Sequence, residues 1–419
     1  MLPVADQFRR VLLLVSFGAL ALFTGLRGYT SVFVGALLVL VTMGLAYLWN
    51  RSVFTKLTFE RTLNRTQVEY DGSIYMHLTA INRKILPIFG LRIEDTVTPG
   101  LKFANSENLV EVKDGAHNIF RDFLHLSWYE RRRRVYELVP QRRGRFEFGS
   151  GTASYADPFG FFKNEKEGIY EPENLIVFPK VVPIQGVEAL DTYLFGSRPR
   201  EGWIFADPLN RVGTRRYERT DSARLINWKA TARHAQLQVD VEKPSFDQQV
   251  YLFLDQPPEV KWWSPAVANN LEVAIMAAAS LIHNYTQAGY QVQLATNLVS
   301  KVHGLSQRPT GLLRGRAQRS QLLSNLSLLQ NFSVEPGEQV LNRLQTRIRP
   351  GAMIVVVSTA PDELTPEFSQ ALRKLMRRSR VALVRVQPNI ASLPRESGLK
   401  EWRVEGGTDW HELEKLELF

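Results

Sequence analysis

There is not one cysteine in this 419-residue chain. That excludes disulfides, iron–sulfur clusters, thiolate zinc sites and a cysteine nucleophile. Other chemistry-bearing patterns are missing too. The sequence contains no Gly-x4-Gly-Lys-Ser/Thr phosphate loop, no His-Glu-x2-His and no Gly-x-Ser-x-Gly elbow, and its seven histidines are scattered. Acidic residues are the minority charge, 42 against 52 lysines and arginines, which leaves a formal net charge of +10. Such a balance permits contact with nucleic acid or anionic headgroups, but it is also ordinary for a membrane protein facing the cytoplasm, the reading we prefer. The arginines are poorly interleaved with stacking aromatics, so no nucleic-acid partner is expected.

Charge is also absent from two long stretches near the amino end, Arg10 to Arg27 and Arg27 to Arg51. The second is long enough to cross a hydrocarbon core of ~30 Å; the first, Val11 to Leu26, is short and needs Phe8 and snorkelling arginines to stretch it. Tyr29, Tyr47 and Trp49 stand where interfacial aromatics belong. A short loop at Arg27 makes residues 1–54 a two-helix membrane hairpin. Arg9, Arg10, Arg51, Lys56 and Arg61 flank its open ends, and only Arg27 marks the turn. The positive-inside tendency places everything after residue 50 in the cytoplasm, as a multi-pass protein of the inner membrane. A secretory signal, with Ala19-Leu20-Ala21 as its cleavage site, competes; the longer span that follows at once favours the hairpin.

Residues 55–185 read as an all-β, sandwich-like domain. Ile74, Met76, Leu78 and Ala80 alternate with Tyr75, His77 and Thr79, the period of a half-buried strand. Leu91, Ile93 and Asp95 start another run, Phe146 and Phe148 a third, and Ile176 to Phe178 a fourth, with Gly and Pro punctuation between them. Arg131, Arg132, Arg133 and Arg134 form a basic run with two readings. One is a patch for anionic lipid or an acidic partner. The other is strand or loop charges facing water, favoured because Glu130 and Glu137 flank the run. Asp157-Pro158-Phe159-Gly160-Phe161-Phe162 is a turn whose phenylalanines are expected to pack it onto a sheet.

Residues 186–245 form a junction. Asp221 is placed to cap a short helical turn and to pair with Arg224. Ile226 and Trp228 are apolar anchors, Lys229 and Arg233 lie four apart on one face, and Leu237, Val239 and Val241 alternate as a strand. The reading is a structural clasp of ion pairs with an aromatic plug. Thr231, His234 and Asp240 are available to an enzyme, but nothing in their spacing links them.

Beyond it, residues 246–390 alternate strand and helix. Gln249 to Leu254 is an apolar run ending at Asp255. Ser264-Pro265 caps a helix with the stripe Leu271, Ala274, Ala278, Leu281 and Tyr285, closed by Gly289. Val292 to Ala295, Ala352 to Val357 and Val381 to Val386 read as strands; Leu312 to Leu329, Glu338 to Ile348 and a segment opened by Thr365-Pro366 read as helices. This predicts a parallel, doubly wound sheet. Residues 391–419 read as a polar tail with a short helix from Asp409. The fold class is therefore α/β plus all-β behind a membrane hairpin.

The ordered motifs Arg143-Gly144-Arg145-Phe146, Asp157-Pro158-Phe159-Gly160, Val177-Phe178-Pro179 and Asp221…Arg224…Trp228-Lys229-Ala230-Thr231-Ala232-Arg233 resemble the family called domain of unknown function 58. The resemblance implies two amino-terminal membrane helices, a β-domain, a von Willebrand factor A-like domain and association with a MoxR-type AAA+ ATPase. Domains of that kind often hold a divalent cation on an Asp-x-Ser-x-Ser motif. Here Asp255 is followed by Gln256, Pro257, Pro258 and Glu259, so both hydroxyl positions are lost. The later loop Ser358-Thr359-Ala360-Pro361-Asp362 departs from the pattern as well, although Glu259 or Thr359 is able to substitute. The expectation is a degenerate site with no metal and no cofactor. The function expected is a membrane-anchored cytoplasmic adaptor working with a MoxR-type ATPase, and no enzyme. The alternative is a membrane-associated hydrolase of cell-envelope substrates, with a cleft joining Asp221, Arg233 and Asp255.

Overall fold

In the computed structural model the residues described are 4–104, 109–111, 117–195, 206–218, 226–244, 249–260, 263–300, 315–349, 351–360, 364–387, 399–406 and 409–419. They divide into two units, Met1–Val177 and Phe178–Phe419.

The first unit opens with helices α1 (Val4–Leu26) and α2 (Thr30–Ser52), turned at Gly28 with φ +74°. The first begins at Val4, so it is longer than its charge-free gap. At 1.5 Å per residue each spans ~35 Å. The α2 helix is long and apolar enough to cross a membrane and is mostly exposed; in α1 the apolar stretch is Leu12–Leu26. This apolar pair suggests membrane association.

Among the described residues twelve strands follow: β1 (Leu57–Leu63), β2 (Gln67–Val68), β3 (Ile74–Asn82), β4 (Ile88–Val97), β5 (Leu101–Phe103), β6 (Leu109–Glu111), β7 (Asn118–Leu126), β8 (Arg131–Pro140), β9 (Gly144–Phe148), β10 (Thr152–Ala156), β11 (Lys163–Glu167) and β12 (Glu173–Val177). One sheet runs β1-β3-β8-β5; the other runs β11-β10-β4-β9-β12-β2, with β7 on β4 and β6 on β7. Ile74, Met76 and Leu78 of the first sheet share one core with Leu91, Ile93, Phe120 and Phe146 of the second. The period-two pattern of β3 is what turns these side chains inward. Within that core Arg61 pairs with Asp95, and its guanidinium lies over the rings of Phe148 and Tyr170 at 5.4 and 5.1 Å.

The basic run is the first half of β8, where Arg131 and Arg133 are exposed. Arg132 pairs with Glu130 at 3.0 Å, and Arg134 pairs with Asp122. The expected packing of the Asp157 turn onto a sheet is not what forms. Phe159 is exposed, and Phe162 meets Tyr47 of α2 instead.

The second unit contains β13 (Ile184–Gln185), α3 (Val187–Phe195), β14 (Ala206–Arg216), α4 (Trp228–His234), β15 (Gln238–Pro244), β16 (Gln249–Asp255), α5 (Pro265–Gln287), β17 (Gln291–Thr296), β18 (Leu298–Ser300), α6 (Gly315–Ser327), β19 (Leu329–Ser333), α7 (Gly337–Gln345), β20 (Met353–Ser358), α8 (Pro366–Met376), β21 (Arg380–Gln387), β22 (Lys400–Glu405) and β23 (Leu416–Glu417). A five-stranded parallel sheet has the order β17-β16-β20-β21-β22. Tyr251, Phe253, Ile354, Val356 and Leu383 pack against α7 and α8 on one face. The opposite face packs on α5, whose residues from Leu271 to Ile282 are buried except Glu272. That burial explains why α5 is apolar enough to resemble a membrane span yet is a core helix. Pro265 occupies its first turn after Ser264, as expected.

Residues 399–419 differ from the polar tail expected of them. Strand β22 extends the sheet beside β21 and buries Trp402, while β23 pairs with β13. No helix starts at Asp409; a turn closed by Glu412 N→Asp409 O at 3.0 Å stands there.

Candidate functional site

Strands of the parallel sheet, taken in chain order from β16, run 2-1-3-4-5 in space. In such sheets ligands bind outside the carboxyl ends where the order reverses, here between β16 and β20. The last residues of those two strands are Asp255 and Ser358, which pair in register.

Asp255 is 3 % exposed. Its Oδ2 accepts from Ser358 Oγ at 2.8 Å and its Oδ1 from Asn297 Nδ2 at 3.0 Å. Asn297 follows β17, and its amide also donates to the carbonyls of Gln256 (2.8 Å) and Glu335 (3.1 Å). Three loops at one end of the sheet are thus held on a single side chain. Burial pushes the Asp255 carboxyl up to about 7, with Glu338 and Glu259 adding to the rise and the two hydrogen bonds opposing it. Gly337, the first residue of α7, lies flat against Asp255. A Cβ there would press on Asp255 Oδ1 and sit 2.6 Å from Phe368.

In front of this floor is a cavity of about 330 Å³. Pro257, Pro258, Pro336 and Phe368 form apolar walls, and Glu259 and Glu338 bring carboxylates. This is the lower end of the range of small-molecule and side-chain pockets, ~300–1,000 Å³. Among the described residues no three histidines or carboxylates converge as metal ligands. Thr359, one of the two substitutes considered for a lost hydroxyl, donates to the main-chain carbonyl of Asp255 at 3.5 Å. A second buried ionic group, Arg385 with Glu401 at 3.6 Å, stands on β21 and β22, and Arg385 and Gln387 both donate to the carbonyl of Ala360.

The remaining signature residues fall elsewhere. Asp221 and Arg224 lie outside the described residues. The cap of α4 is Asn227, whose Oδ1 accepts from Ala230 N at 2.9 Å. Trp228 is 69 % exposed and α4 buries no side chain, so no aromatic plug forms there; a seven-residue helix at the surface has no core to fill. Lys229 and Arg233 are both exposed on α4, and Arg233 does not line the Asp255 cavity. Thr231 Oγ1 accepts from Gln238 N at 3.0 Å, tying α4 to β15. In the first unit Asp157 is buried at the root of its turn, with Pro158, Phe159 and Gly160 exposed. Sequence reasoning found Asp255 and Ser358 but missed Asn297, Gly337, Arg385 and Glu401. Their only signals were an Asn ending a strand and a Pro-Gly pair opening a helix.

The sheet order and crevice define an α/β unit with a cavity at its switch point. Residues 213–403 match the family described as "Protein of unknown function DUF58", the family that the sequence motifs resembled. The "Uncharacterized protein YeaD" of Bacillus subtilis (strain 168) is 23 % identical over 245 residues, 56 % of this chain and 54 % of that protein. The match therefore spans about half the length of this curated relative. Among solved structures, a cohesin module of a Clostridium perfringens family 33 glycoside hydrolase aligns with TM-score 0.21 and 11 % identity, over 29 % of this chain and 97 % of that one. The CARDB domain of a Pyrococcus furiosus protein aligns with TM-score 0.20 and 11 % identity, over 29 % and 91 %.

Proposed function

We propose that this protein is a membrane-anchored binding module, fixed by α1 and α2 at the inner membrane with both units on the cytoplasmic side. Its second unit is then a von Willebrand A-like domain that receives a partner at the carboxyl edge of its sheet. The observation that carries this reading is the cavity at Asp255. It stands at the switch point and has apolar walls and acidic members, yet its deepest carboxyl already accepts two internal hydrogen bonds. Such a pocket suits a basic side chain of a partner, whose stem meets the prolines and whose charge meets Glu259 and Glu338. The partner proposed is a MoxR-type AAA+ ATPase, which supplies energy while this chain supplies attachment, in the assembly or maturation of envelope or enzyme complexes. Co-purification from native membranes with an ATP analogue tests it. An AAA+ ATPase in the complex is expected; its absence counts against the reading.

One observation favours an enzyme instead: a carboxyl poised near neutrality in a cavity is the kind of group used for proton transfer. A hydrolase acting on envelope material would use Asp255 in that way. Turnover of such a substrate by the purified chain, lost in Asp255→Asn, would establish that alternative.

A further inference from the structure

The turn between β10 and β11 ties four of its amides internally and leaves its rings outside. Asp157 Oδ1 accepts the amide of Phe159 at 2.9 Å, and Oδ2 accepts the amide of Phe162. Asp157 N donates to Phe162 O at 3.1 Å, and Gly160 N, at φ +71°, donates to Asp157 O at 2.9 Å. Pro158 has no amide to satisfy. Amides paired in this way lower the cost of bringing the turn to the edge of an apolar phase.

The rings are placed by α2. Phe159 is 63 % exposed and stacks on Phe161, centroids 5.9 Å apart. Phe162 meets Tyr47 edge-on at 5.5 Å, and Asn164 Nδ2 donates to the carbonyl of Asn50 at 3.0 Å. Tyr47 lies five residues before Ser52, the last residue of α2, so the turn sits about 7–8 Å back along the helix from its end. A second tip stands at that end. Lys84 Nζ donates to the carbonyl of Ser52 at 2.5 Å, and Tyr129 N donates to the carbonyl of Lys84. Around it Ile85, Trp128 and Tyr129 are each about two-thirds exposed.

We propose that the Asp157–Phe162 turn inserts its rings into the headgroup–acyl boundary of the bilayer beside α2, with Ile85, Trp128 and Tyr129 as a second foothold. The inference rests on the reading of α2 as a membrane span. Tyr47 then marks the interfacial level, and the lipid surface covers aromatic groups that the sheets leave bare. Exposed Lys163, next to Phe162, is placed to meet lipid phosphate.

The absence of cysteine makes the test direct. The full chain in liposomes carries one nitroxide label, at Phe159→Cys or, as a control, at Lys102→Cys. Lys102 is exposed and pairs near the Pro140 end of β8, about 30 Å along that strand from Arg131. The ratio of collisions with oxygen to collisions with a soluble nickel chelate is expected to be several-fold higher at 159 than at 102. Retention of the chain in the membrane after alkaline carbonate is measured in parallel. Retention with equal ratios overturns the insertion and leaves the anchor standing. Extraction of the chain removes the anchor and the insertion together. Shielding of 159 from both reagents means a protein contact, and overturns the proposal too.

Discussion

Asp255 is a residue on which burial and hydrogen bonding pull in opposite directions, and burial wins. Its carboxyl rises from 3.8 to about 7 on folding. The folded state therefore keeps a proton that the unfolded chain has lost. The stability this gives is full below pH ~4, falls by about 1.4 kcal/mol per unit as pH rises from there towards 7, and is gone above that. Asp255→Asn has no such slope, so the stability difference between the two proteins should change by roughly 4 kcal/mol between pH 4 and pH 8. Paired urea titrations check this; parallel curves would refute it. Gly337→Ala forces a methyl group against Asp255 and Phe368 and should cost about 1–3 kcal/mol in the same titrations. Arg61→Met strands the Asp95 carboxylate in the β core and should cost about 3–5 kcal/mol. Adding Asp95→Leu should recover most of that loss, because the unpaired charge goes too. Asp255 and Ser358 were legible because each ends an apolar run. Asn297 and Gly337 were not, since only the sheet order brings them to the same spot.

Elements with local signals were readable. Helix α5 was bounded by Ser264-Pro265 and Gly289, and α8 by Thr365-Pro366, whose hydroxyl accepts from Phe368 N at 3.3 Å. Strand β3 announced itself by strict alternation. Strand β22 did not, because charge hides it. Glu401 reads as a solvent residue until Arg385, sixteen positions earlier on the neighbouring strand, is seen to bury it. The cap of α4, Asn227, was not singled out in the sequence, and the turn expected at Asp221 lies outside the described residues. The same geometry predicts that residues 399–419 are not dispensable. Truncation after residue 390 removes β22, strands the Arg385 charge and exposes the edge of β21. The shortened chain should melt at lower temperature and be cut faster by protease. Equal melting and proteolysis would show that β22 contributes nothing.

The whole molecule combines an apolar helix pair, a β unit and an α/β unit whose crevice lies at its sheet's switch point. The function proposed above places an AAA+ partner of a membrane-fixed chain at the Asp255 cavity. The most direct measurement is photo-crosslinking in native membranes from a benzophenone side chain at Thr365, an exposed residue lining that cavity, with Lys102 as the control position. An AAA+ ATPase adduct is expected from Thr365 and none from Lys102. Identical adduct patterns at the two positions, with no ATPase in either, would contradict it.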